Sequence, residues 1–83
     1  MKNNLENELS TFEGRVDCIA KSENMPGYQF VRLISKDNQK WVGHAMVIPP
    51  YIEEGLTTEI TFKLDKNGEY IIVAYTPPGK LIT

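Results

Sequence analysis

The chain has 83 residues, of which 41% are hydrophobic and 24% charged, and its formal net charge is -2. This length fits one domain, and the composition is typical of a folded protein. The single cysteine excludes an internal disulfide, and the sequence lacks a zinc-type Cys/His cluster, a secretory signal and a membrane-spanning stretch. We therefore expect a cytoplasmic, soluble domain with no metal and no cofactor.

Charge is distributed unevenly along the sequence. Residues 15–44 carry five basic and three acidic side chains, whereas residues 1–14 and 45–83 each have two more acids than bases. An acidic protein is not a typical nucleic-acid binder. A face built from the middle third could nevertheless be positive, and the alternative is that these charges form an ordinary solvated surface.

The N-terminal part combines a polar segment with a first predicted strand. Residues 1–10 are mostly polar, and Leu5 and Leu9 are spaced as in a short amphipathic helix or a partly ordered tail. Apolar and polar residues then alternate with period two over 12–20, which predicts a half-buried strand. Its apolar positions are Phe12, Val16, Cys18 and Ala20. Because these residues would lie on the same, core-facing side of the strand, we predict a buried, unreactive thiol at Cys18.

The next two strands are separated by clear turn signals. Pro-Gly at 26–27 precedes a strand over 28–35 that is rich in aromatic and β-branched residues. The polar segment 36–39 predicts a hairpin turn into a third strand over 40–48. Pro49-Pro50 ends this strand because proline has no N–H to donate to a sheet. Trp41 on the third strand fits a core anchor or a cap at the strand end.

The last third of the chain predicts two more strands. The connection 51–55 could hold one helical turn, and strands follow over 56–64 and 69–76, joined by the Asn-Gly hairpin signal within 65–68. Five short strands must protect their edges, and closure into a barrel does so. We therefore predict an all-β fold, a small five-stranded antiparallel Greek-key barrel of the OB type over residues 11–78, with tails at 1–10 and 79–83. An SH3-like barrel is the alternative.

The residues that could support catalysis form no recognised arrangement. His44 is the only histidine, and none of the serines lies in a nucleophile-elbow pattern. The acidic pair Glu53-Glu54 fits a solvated turn, and the sequence has no glycine-rich phosphate loop. These observations favour a binding protein over an enzyme.

Alternation in the second strand separates a core face from a candidate binding face. Val31 and Leu33 share the core parity, whereas Tyr28, Phe30 and Arg32 share the other. Exposed aromatic rings on a sheet are typical of platforms on which unpaired bases stack, at about 1–3 kcal/mol per base. The alternative is that the N-terminal segment or a loop covers both rings.

The third strand would place Val42 and His44 beside this aromatic row. An imidazole can stack on a base or form a hydrogen bond with it. The alternative for His44 is a position at the surface or the edge of the core with no special role.

Several segments between residues 12 and 76 resemble the cold-shock domain, a family of five-stranded OB-type barrels that bind single-stranded RNA or DNA. Gly14-Arg15-Val16 is similar to the opening strand of that family, and Pro26-Gly27-Tyr28-Gln29-Phe30-Val31 to its first RNA-binding motif. Trp41-Val42-Gly43-His44 is similar to its second motif. The segment 54–62 resembles the start of its fourth strand.

The sequence also departs from the cold-shock pattern. Cys18-Ile19 stands where the family has an aromatic pair, and Val42 stands where its second motif has phenylalanine. Ala45 replaces the aromatic residue after the histidine, and Pro26 replaces the lysine before the glycine. Of the stacking set of the family, Tyr28, Phe30 and His44 remain.

The resemblance implies weak binding of single-stranded RNA or DNA with little sequence preference. Tyr28, Phe30 and His44 would contact bases, and five cations would meet phosphates. These cations are Arg15, Lys21, Arg32, Lys40 and Lys63. The alternative is a protein–protein interaction module, or a small regulatory or inhibitory protein, that uses the same aromatic face or an edge strand. Self-association through that face is a variant of this alternative.

Overall fold

A computed structural model describes residues 8–76 of the chain. Within these residues it contains five β-strands and no helix. The strands are β1 (Ser10–Lys21), β2 (Gln29–Ile34), β3 (Lys40–Ala45), β4 (Thr57–Leu64) and β5 (Tyr70–Tyr75). The predicted tails at 1–10 and 79–83 lie outside the described residues, except for residues 8–10, and Ser10 already belongs to β1.

The strands close into a barrel in the order β1-β2-β3-β5-β4, which is consistent with an OB-fold topology. The predicted all-β, five-stranded closed barrel is thereby confirmed. β1 is long because it pairs with β4 through its first half and with β2 through its second half. Four of the neighbouring pairs are antiparallel, whereas β3 and β5 are parallel and share one register pair, His44 with Ile71.

Both predicted hairpin turns are present. The turn between β2 and β3 is closed by a hydrogen bond from Ser35 N to Gln39 O (2.9 Å), and the turn between β4 and β5 by one from Asp65 N to Glu69 O (2.8 Å). Asn38 and Gly68 have φ values of 68° and 85° in these turns. Asparagine and glycine tolerate this left-handed conformation best, which explains their positions.

The connection between β3 and β4 differs from the prediction. β3 ends at Ala45 rather than at residue 48, because Ala45 pairs with Gln29, the first residue of β2, and β2 offers no partner to the residues that follow. Residues 51–55 form turns and no helical turn. Ile52 from this connection is buried and belongs to the barrel core.

A β-bulge in β1 reverses the predicted alternation. The register passes from Val16 directly to Cys18, so Asp17 is the extra residue. Before the bulge, Val16 points into the core, and after it Ile19 packs against the core instead. Cys18 is therefore only partly buried and lies on the outer face, and the predicted burial of its thiol is wrong.

Trp41 is the centre of the aromatic core. Its ring stacks on Phe12 and Tyr70 at centroid distances of 5.7 Å each, and Phe62 lies 4.9 Å away at a tilt. The side chain is buried, which identifies it as the core anchor. Val31 and Leu33 are also buried, as their parity predicts.

Tyr75 links β5 to the segment after β3, because its hydroxyl donates a hydrogen bond to the carbonyl of Val47 (3.3 Å). Burial, assisted by nearby Tyr51, raises the pKa of Tyr75 from 10.0 to about 12. The native state therefore holds this proton more tightly than the unfolded state. The resulting stabilisation is complete below about pH 10 and is lost as the pH rises towards about 12.

We expect Tyr75→Phe to remove part of the loss of stability at high pH. Urea midpoints measured between about pH 9 and about pH 11.5 should fall less steeply in the variant than in the parent protein. The comparison isolates Tyr75 because the lysines and other tyrosines titrate in both proteins. Parallel slopes in the two proteins would contradict the assigned pKa.

Candidate functional site

The outer face of β1, β2 and β3 carries two rows of paired side chains. The first row is Ala20, Phe30 and His44, and the second is Cys18, Arg32 and Val42. Paired residues on neighbouring strands have Cβ atoms about 5 Å apart. The two rows therefore place a phenyl ring, an imidazole and a guanidinium next to one another.

All of these residues except Cys18 line the floor of a groove of about 660 Å³. One wall is the loop between β1 and β2, which contributes Ser22, Glu23 and Asn24, and Glu69, at the end of the β4–β5 turn, forms another part of the lining. Other grooves of similar volume exist on the barrel, so volume alone does not select this one. Four residues predicted for the site line this groove, namely Lys21, Phe30, Arg32 and His44.

The other four predicted residues lie elsewhere. Arg15 and Lys40 flank Ile34 one row further along the same face. Lys63 pairs with Ile71 on β5, two strands away from His44. Tyr28 lines neighbouring cavities with Met46, away from Phe30. The structure thus separates the two aromatic residues that the sequence places in one row.

The groove is not strongly positive. Asp17, the bulge residue, accepts a hydrogen bond from Arg32 Nε (2.8 Å) and forms an ion pair with Arg32 Nη2 (2.7 Å). Arg15 Nη1 lies 3.8 Å from the other oxygen of the same carboxylate. Glu23 and Glu69 on the lining offset Lys21 and Arg32. The local excess of basic residues in the sequence therefore does not become a strongly positive surface here.

His44 is on the predicted face but is largely covered. Its side chain is 10% exposed, and Nδ1 lies 3.6 Å from Glu69 Oε1. Among the described residues, Nδ1 is one of two buried side-chain polar atoms without a hydrogen-bond partner, and Trp41 Nε1 is the other. His44 thus offers a ligand little ring surface, and its unpaired nitrogen faces Glu69 rather than the groove.

The N-terminal segment does not cover Phe30 as far as it is described. Leu9 is 62% exposed and precedes the first residue of β1, whereas Phe30 pairs with Ala20 near the end of that strand. Leu5 lies outside the described residues. The loop between β1 and β2 borders Phe30 without burying it, so the ring is partly exposed on the groove floor.

Sequence reasoning missed three contributors to this site. Cys18 reaches the outer face only because of the bulge, for which the alternation of β1 carries no signal. Asp17 is on the polar side of the predicted strand, but its ion pair with Arg32 was not predicted. Glu69 reaches the groove through the β4–β5 turn.

Residues 8–76 hold no group of three potential metal ligands and no helix that could cross a membrane.

Comparisons with known proteins do not add a relative. No protein-family model, curated protein or solved structure matches this chain. The barrel topology and the geometry of the groove therefore carry the functional argument.

Proposed function

We propose that this chain binds single-stranded nucleic acid, weakly and with little sequence preference, in the groove on β1, β2 and β3. The observation that carries the proposal is the pairing of Phe30 with His44 on the groove floor, with Arg32 in the adjacent row. OB-type barrels bind oligonucleotides and oligosaccharides on the face of their second and third strands, beside the β1–β2 and β4–β5 loops. The groove lies in this position, and a phenyl ring beside basic side chains favours an oligonucleotide.

A relationship to the cold-shock domain is part of this proposal. Its support is that Phe30 and His44, which carry the resemblance, are cross-strand partners on one surface. Tyr28 lines a different cavity, and His44 is nearly covered. Phe30 is then the main stacking platform, and we expect an affinity well below that of a barrel with a full stacking set.

The ion pair with Asp17 gives Arg32 a particular role. Two nitrogens of its guanidinium lie within 2.8 Å of Asp17 Oδ2, which fixes the group beside Phe30. A fixed, planar guanidinium can stack under a base. Phosphates would be contacted by Lys21 at the groove and by Arg15 and Lys40 further along the face. Lys63 would contact only a nucleic-acid chain long enough to continue past β3 and across β5.

This arrangement predicts a modest dependence on salt. About three phosphate contacts give a slope of roughly -2 in a plot of log affinity against log salt concentration. Affinity should then fall about 15-fold between about 50 and 200 mM salt.

The experiment is a titration of a labelled oligo-pyrimidine with two matched aromatic variants. Phe30→Ala should weaken binding by about 1–3 kcal/mol, or roughly 5- to 150-fold, because it removes the platform. Tyr28→Ala should leave affinity within about twofold, because Tyr28 lies outside the groove. Fluorescence anisotropy measures both. Equal losses, no loss in Phe30→Ala, or no binding by the parent protein would contradict the proposal.

A further inference from the structure

Asp17, the bulge residue of β1, lies against the arginine of the groove floor. Arg32 Nε and Nη2 are 2.8 and 2.7 Å from Asp17 Oδ2. The side chain of Asp17 is 27% exposed and that of Arg32 41%, so salt screens this pair less than it screens a fully exposed pair. The ion pair should therefore persist at salt concentrations at which proteins bind nucleic acids.

The same carboxylate holds Arg15 much more loosely. Arg15 Nη1 lies 3.8 Å from Asp17 Oδ1, which is too long for a hydrogen bond, and the Arg15 side chain is 51% exposed. Arg15 can therefore turn towards a phosphate at little cost. Asp17 acts mainly on Arg32, the arginine in the row next to Phe30.

The charges that line the groove are balanced. Among the described residues, the lining contains two basic side chains, Lys21 and Arg32, and two acidic ones, Glu23 and Glu69. A phosphate that approaches Arg32 would have to displace the carboxylate of Asp17, and no excess of positive charge around it favours this exchange. Arg32 thus offers a ligand the flat face of its guanidinium rather than a free cation.

Single strands and duplexes present different groups to such a face. The bases of a duplex are paired and stacked on one another, so a duplex that is bound without sequence readout is held through its phosphates. An unpaired strand exposes the faces of its bases, which can stack on Phe30 and on a fixed guanidinium. A face that has a stacking platform but withholds its central arginine from phosphates therefore favours the unpaired strand.

We propose that Asp17 makes this face select single-stranded over double-stranded DNA, because it holds Arg32 in place for base stacking and withholds it from phosphates. This role rests on the proposed binding of single strands in the groove. Asp17 acts through Arg32 and needs no contact with the ligand, so it is a positioning residue.

Fluorescence anisotropy with labelled oligothymidine and with a labelled DNA hairpin of equal phosphate number tests this role. The parent protein should bind oligothymidine at least about tenfold more tightly, because only the unpaired strand can stack on Phe30. Asp17→Asn should tighten hairpin binding about tenfold at about 50 mM salt, since the released Arg32 adds about one phosphate contact. Oligothymidine should gain less than about threefold, because the new contact is offset by the loss of the fixed guanidinium.

The dependence on salt separates this role from a structural one. With one more phosphate contact, the slope of log affinity against log salt should steepen by about 0.9 for the hairpin and about 0.7 for oligothymidine. Damage to the fold would weaken binding without steepening either slope. The matched control is Glu53→Gln, which makes the same change in net charge at an exposed residue outside the groove. This control should leave the slopes and the preference unchanged, and circular dichroism should show that both variants are folded.

A second measurement needs no variant. In NMR spectra of the parent protein, the Nε–H of Arg32 should exchange slowly with water, both alone and with bound oligothymidine, because it stays bonded to Asp17. Fast exchange in the complex would overturn the role, since Arg32 would then have left Asp17 for a phosphate.

The variants distinguish failure of this role from failure of the proposed function. If the parent protein binds oligothymidine but Asp17→Asn changes neither the hairpin affinity nor the slopes, the role of Asp17 is wrong and single-strand binding stands. If Glu53→Gln has the same effects as Asp17→Asn, net charge rather than the contact with Arg32 sets the preference, and the role is again wrong. A parent protein that binds neither probe would overturn the proposed function, and the selection with it.

Discussion

Trp41→Ala is expected to lower the free energy of unfolding by about 3–5 kcal/mol. The variant would remove the ring on which Phe12 and Tyr70 stack and against which Phe62 packs. An 83-residue domain has a total stability of roughly 4–12 kcal/mol, so this loss would be a quarter of that stability or more. Trp41 is the only tryptophan, and unfolding in urea should therefore be followed by circular dichroism.

Trp41→Phe is the control for this prediction. A phenyl ring retains stacking in the cluster, and it removes the buried indole N–H that has no hydrogen-bond partner. We therefore expect a cost below about 1.5 kcal/mol. Similar costs for the alanine and phenylalanine variants would mean that Trp41 does not organise the core.

Gly43→Ala is expected to destabilise the barrel by about 3 kcal/mol, although it adds a single methyl group. The new Cβ would meet three atoms of the Trp41 ring, with Cζ3 at 2.7 Å and Cζ2 at 2.9 Å. The ring cannot move aside easily because Phe12, Phe62 and Tyr70 surround it. The urea midpoint of the variant measures this cost.

The double variant Trp41→Phe with Gly43→Ala separates crowding from other effects of the alanine. Phenylalanine lacks the indole atoms that the new methyl would meet, so the alanine should cost much less in that background. A coupling energy of about 1–2 kcal/mol is expected from this double-mutant cycle. An alanine cost that is the same in both backgrounds would show that the ring over Gly43 is not its cause.

The sequence predicts the barrel well because its strands are short, alternating and separated by strong turn residues. Core positions such as Val31 and Leu33 follow directly from parity in β2. Parity fails in β1 because an inserted bulge residue reverses the side on which every later side chain lies. The predicted end of β3 is wrong because a strand needs a partner, and the apolar residues after Ala45 have none on β2, which begins at Gln29.

The site could be predicted only in part. Parity places Phe30 and Arg32 on one face, and the structure agrees. Tyr28 precedes β2, so strand parity does not govern it, and its side chain lines other cavities. The ion pair between Asp17 and Arg32 joins residues that are distant in sequence. Neither the alternation of apolar and polar residues nor the composition reveals such a contact.

We propose that the groove on β1, β2 and β3 holds single-stranded nucleic acid. Chemical-shift mapping by NMR during titration with an unlabelled oligo-pyrimidine tests it most directly. We expect the largest shifts at Lys21, Phe30, Arg32, Val42 and His44, which line the groove. Shifts confined to residues outside the groove, such as Met46, Val47 and Val73, or no shifts at all, would contradict the proposal.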